Sequence, residues 1–73
     1  MEATARAELA KAIVDTYTAR EASYDPAKGR YKLDYRTAFE QSGADPELVH
    51  VVVSLLVAGY CEPLEWALST VSK

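Results

Sequence analysis

Apolar and polar positions along the chain fall into stretches of helical spacing separated by short breaks, and the most apolar stretch, Asp45 to Tyr60, organises the rest. At about 100° per residue, Leu48, Val49, Val52, Val53, Leu55, Leu56 and Tyr60 fill one wide arc. Glu47, His50 and Ser54 form the remaining polar strip, with Val57 beside it. A helix apolar over so much of its circumference is expected to be covered on most sides. Val49, Val51, Val52, Val53 and Val57 are β-branched and would also suit a buried strand, so spacing alone does not set the type. The start of the stretch does. Asp45 can accept from the free N–H groups of a first turn, Pro46 fits the first helical position, and Glu47 puts negative charge at the positive end of the dipole.

The flanking stretches read as helices that cover this one. From about Thr4 to Ser23 the chain is alanine-rich, without Gly or Pro, and Thr4 can cap it. Leu9, Ile13 and Tyr17 recur on one side with Ala5 and Ala12, while Glu8, Lys11 and Asp15 gather opposite. Tyr24 to Gly29 is a break, because Pro26 disfavours helix before it and Gly29 suits a turn. The alternation R-Y-K-L-D-Y-R would put Tyr31, Leu33 and Tyr35 on one face of a strand, but a lone strand leaves its backbone groups unpaired. Either it pairs with a second chain, or it is an extended lead into a helix capped by Asp34, running from Tyr35 to about Ser42 and stopped by Gly43; we adopt the second. After a bend at Gly59 to Pro63, a last helix carries Leu64, Ala67, Leu68 and Val71 inward, with Trp66 off that stripe. The expected fold is all-α, a single domain over residues 1–73: a small bundle of about four helices around a central, nearly all-apolar one.

Size sharpens this picture. A chain of 73 residues buries only about 60% of the surface its unfolded form exposes. One cysteine excludes an intramolecular disulfide, and no Cys/His cluster suggests a metal, so neither staple supports the core. Chains of this kind gain stability by associating. Val51, Val57, Tyr60 and Trp66 cannot all share the core that holds Leu48, Val52, Leu55 and Leu56, and they are the expected partner or dimer interface. The apolar run is well short of the roughly 20 residues of a membrane span, so no membrane is expected. The N-terminus lacks the uninterrupted apolar core of a signal peptide, and with the unpaired cysteine it points to the cytoplasm.

Charge adds one feature. The net charge is −3, yet residues 28–36 hold Lys28, Arg30, Lys32 and Arg36 against Asp34 alone, while both flanks are acidic. With Tyr31 among them, these residues have the composition of a nucleic-acid contact, cations for phosphate and rings for bases. Acidic flanks repel phosphate, so nucleic acid is not favoured over an acidic protein surface. A helix-turn-helix across Gly43 would need polar and basic groups on its second helix, where valine and leucine stand. His50 and Cys61 are single, and on a continuous helix they would lie about 16 Å apart, too far for a nucleophile pair. Neither paired carboxylates nor an Asp-rich loop points to acid–base work or calcium, and no cofactor is implied. The functional expectation is a non-enzymatic protein-binding module, a homodimeric adaptor or small inhibitor, including the kind that phages direct at host machinery. The alternative is a small nucleic-acid-binding transcriptional regulator using segment 28–36.

Overall fold

A computed structural model describes residues 3–72. Helix α1 (Ala3–Ala22) is followed by a two-stranded hairpin, β1 (Tyr24–Asp25) and β2 (Arg30–Tyr31). Three shorter helices complete the chain: α2 (Tyr35–Gln41), α3 (Pro46–Val57) and α4 (Glu62–Val71). The fold is a small all-α bundle with one hairpin inserted.

Helix boundaries follow the local chemistry of the sequence. Asp34, in extended conformation, accepts from the Thr37 N–H at 2.8 Å, and Asp45 accepts from the Glu47 N–H at 3.0 Å. Gly43 ends α2 and Gly59 ends α3, both in the left-handed region at φ 79° and 88°. At α3 the closure is a complete Schellman motif, with Gly59 N–H on the Leu56 carbonyl at 3.1 Å and Tyr60 N–H on that of Leu55 at 3.2 Å. Thr4 is no cap, because α1 is already helical at Ala3.

The expected lead into α2 is partly a strand. Tyr24 pairs with Tyr31 and Asp25 with Arg30, so the partner of the alternating segment is this same chain. Asp25 builds the turn: its carboxylate accepts from the Ala27 N–H and its carbonyl from the N–H groups of Lys28 and Gly29, with Gly29 at φ 66°. Ser23 fastens the exit strand to the end of α1, its carbonyl taking the Lys32 N–H and its hydroxyl oxygen the Leu33 N–H, both at 3.1 Å.

Packing departs from the expected centre. The molecule measures 42 × 24 × 20 Å, and its two short dimensions are about two helix diameters, which leaves every helix with a side on the surface. Helix α1 is the hub, lying most extensively against α4 and next against α2, while α3 rests mainly on α2. The core joins Ala10, Ala12 and Ile13 of α1, Phe39 of α2, Val49, Val52, Val53 and Leu56 of α3, and Ala67 of α4. Helix α3 therefore buries one face rather than its whole circumference, and Leu55, expected inside, is exposed.

Two stripes are rotated from the expected ones for the same reason. On α1 the enclosed positions include Ala12, Ile13 and Thr16, whereas Ala5 and Tyr17 are exposed. On α4, Pro63, Trp66, Ala67 and Thr70 face inward at i, i+3, i+4 and i+7, and Leu68 and Val71 are exposed. In α1 a threonine occupies a core position, and in α4 one is half-buried. The Thr70 hydroxyl donates to the Trp66 carbonyl at 2.8 Å, while the fully buried Thr16 hydroxyl has no partner among the described residues.

An unpaired buried hydroxyl costs roughly 1–3 kcal/mol, and valine has nearly the same shape. Thr16→Val is expected to raise stability by about 1 kcal/mol, read as a higher urea midpoint at unchanged m value; a loss would mean that the hydroxyl is satisfied. Hydrogen bonding from Thr37 holds the Asp34 carboxyl below the usual carboxylate range. Its folded-state pKa is thus depressed, so the stability it adds is present above the unfolded value and lost as pH falls through the folded one. Urea titrations on acidification should show Asp34→Asn losing less stability than the native chain over that window.

Candidate functional site

A groove opens where α1 and α3, each packed on other helices, make little direct contact with each other. Leu9 and Ile13 of α1 form one wall, Val52 and Leu55 of α3 the other, and Tyr60, Pro63 and Trp66 close one end. Its volume is about 630 Å³ and its lining is mostly apolar. Arg6 and Glu62 stand at its margin. Both are exposed, and neither has an ion-pair partner among the described residues.

The groove owes its shape to the end of α3. In the Schellman closure the residue after the left-handed glycine is returned toward the last turn, where it meets the residue whose carbonyl it caps. Here those residues are Tyr60 and Leu55, which line the groove together. The chain then turns sharply, with α3 and α4 inclined at 116°, and α4 begins at once. Glu62 and Glu65 in its first turn favour the helix dipole, although Cys61 at the cap position offers no side-chain bond.

Of the four expected interface residues, Tyr60 and Trp66 meet in this groove, Tyr60 exposed at 57% and Trp66 half-buried against the core. Val51, also exposed at 57%, lies outside it but one turn before Leu55 on the same flank of α3. Val57, at 69% the most exposed large apolar residue, belongs elsewhere: it borders a depression lined by Arg20, Arg30, Tyr31, Leu33 and Tyr35. The expected patch is thus divided between two sides of α3. Leu55, Arg6 and Glu62 were not legible as surface partners of Tyr60; the Gly59-Tyr60 pair was the available signal for Leu55.

The basic segment is also divided. Strand pairing sets Tyr31 opposite Tyr24 and Arg30 opposite Asp25. Lys28, Arg30, Tyr31 and Lys32 border a shallow depression with Asp25, while Arg36 sits exposed on α2 outside it. Tyr24 and Tyr31 each keep an exposed side, and the rings also make contacts within the molecule. The Arg20 guanidinium carbon lies 3.7 Å from the Tyr31 ring centroid and 4.2 Å from that of Tyr35, and Arg20 Nη1 donates to Tyr35 Oη at 3.3 Å. Tyr24 packs on Tyr31 with centroids 5.0 Å apart. This clamp joins the end of α1, the hairpin and the start of α2. Sequence reading missed it because the rings that Arg20 meets, Tyr31 and Tyr35, follow it only after the hairpin turn, far beyond a local helical spacing.

The remaining candidates stay apart. Helix α3 carries no Lys or Arg, so its outer side offers no cation to a DNA groove. His50 is exposed on α3 and Cys61 is an exposed thiol at the head of α4. Among the described residues, no group of three or more His, Cys, Asp or Glu side chains could hold a metal ion. No single helix is long and apolar enough to cross a membrane. No protein-family model, no curated protein and no solved structure matches this chain.

A guanidinium between two rings contributes about 1–2 kcal/mol when half-buried. Arg20→Ala should lower stability by about 1 kcal/mol and weaken the near-ultraviolet circular dichroism of the tyrosines, with Arg20→Lys falling between. An unchanged tyrosine signal would show that the rings hold their places without the cation.

Proposed function

We propose that this chain is a non-enzymatic protein–protein interaction module, a cytoplasmic homodimer that acts as an adaptor or small inhibitor by docking on a protein partner. One observation carries the reading: α3 is apolar on sides that its own molecule does not cover, with Val51, Val57 and Tyr60 all more than half exposed and Leu55 beside them at 37%. Exposed apolar area of this kind, edged by aromatic rings, marks contact surfaces. A chain this short also has the most to gain from sharing such area with a second molecule. The extension to phage-encoded inhibitors of host machinery rests on chain size.

The hairpin supplies a second surface of different character. Lys28, Arg30 and Lys32 share one depression, and none has an ion-pair partner among the described residues, which favours an anionic partner. An acidic protein surface suits them better than nucleic acid, since the acidic segments on both sides of residues 28–36 repel phosphate. The nucleic-acid regulator remains the alternative reading, supported by the same cations.

Sedimentation velocity tests the main reading. The native chain should sediment as a dimer at micromolar concentration, and Tyr60→Glu should sediment as a monomer with an unchanged urea midpoint. A native chain that stays monomeric there overturns self-association. For the hairpin, Arg30→Glu with Lys32→Glu should abolish binding to an acidic peptide; tight, steeply salt-dependent binding to duplex or single-stranded oligonucleotides would instead favour the regulator.

A further inference from the structure

Resting on the homodimer reading, we infer that the groove between α1, α3 and α4 is occupied by the same groove of a second copy, with the register set by two symmetric ion pairs from Arg6 to Glu62 of the partner subunit. The groove states what its occupant must be. Its lining is mostly apolar, from Leu9, Ile13, Val52, Leu55 and Trp66, so the occupant must bring apolar surface. Its margin carries one cation and one anion, so the occupant must present one of each in the reverse order. A twofold axis supplies that arrangement without any further partner, because it exchanges the two margins and sets each Arg6 against a Glu62.

Charge within the single molecule is consistent with this assignment. Arg6 and Glu62 border one groove, yet they do not pair with each other; the only ion pair among the described residues is Lys11 to Asp15 at 2.7 Å. Each is therefore without an opposite charge among the described residues. An interface of ordinary extent takes about 800 Å² from each partner, roughly a sixth of the 5037 Å² that this molecule exposes. The groove alone is narrower than that, and the adjoining flank of α3 at Val51 extends it with more apolar surface. Exposed ion pairs add little affinity, but like charges brought together at the same two places act strongly against a wrong register.

Charge exchange tests the assignment. Arg6→Glu alone would set Glu against Glu62 twice in its own dimer, and Glu62→Arg alone would set Arg against Arg6 twice, so each should weaken self-association by about tenfold or more. An equimolar mixture of the two chains should associate as well as the native protein, because both contacts then join opposite charges, and one chain carrying both changes should do the same. Rescue by mixing cannot come from altered folding of either chain, and urea midpoints of the separate variants control for a loss at the start of α4. If the native chain dimerises but the mixture is no tighter than the single variants, the pairing is overturned while the homodimer stands. If the native chain is monomeric and the groove instead takes an apolar peptide, both are overturned.

Discussion

Thinness governs this molecule. With two short dimensions of 24 and 20 Å, it has room for helices in contact but not for one helix enclosed by the rest. Every helix must therefore choose a side to hide, and α3 has more apolar circumference than one side can hold. Its buried face, Val49, Val52, Val53 and Leu56, meets the core, and what is left over becomes surface. The same constraint explains the hub. Helix α1 is rich in alanine, and Ala10 is fully enclosed opposite a bundle in which Ala67 of α4 is enclosed too, so backbones approach where side chains are small. A polar, alanine-rich helix occupies the middle because it takes least room there, and the greasier helix is displaced to the side.

The hairpin solves a different problem with the opposite materials. Seven residues of alternating charge and ring would form a sticky mixed ribbon if left extended. Pairing of Tyr31 with Tyr24 and of Arg30 with Asp25 folds its start back on the chain. Tyr31 and Tyr35 close on Arg20 of α1, while Arg30 and Lys32 stay exposed beside Tyr31. The cation between the Tyr31 and Tyr35 rings is the link from α1 to α2.

What the sequence disclosed depended on how local the cause was. Helix ends were legible at Asp34, Gly43, Asp45 and Gly59 because a cap acts within a few residues, and helix type followed for every long segment. Stripe direction was not, because Thr16 is enclosed and Thr70 half-buried, which makes an inward face look polar. The hairpin escaped because its first strand, Tyr24–Asp25, is too short to show a period and so offered no partner to the alternating segment, even though Asp25-Pro26 and Gly29 marked its turn. An apolar surplus in α3 could be read from composition, but its division into a Leu55 flank and a Val57 flank depends on how α2 and α4 approach, which no local pattern encodes.

Gly59 shows how little sequence separates architecture from surface. An added Cβ there would meet nothing within 4 Å, so the requirement is purely one of backbone angle, at φ 88°. That single angle both finishes a helix and decides which aromatic ring borders the groove. Natural selection acting on either duty is thereby forced to act on the other, and descendants of this chain are not free to remodel the groove's rim through Tyr60 while drifting at the position before it.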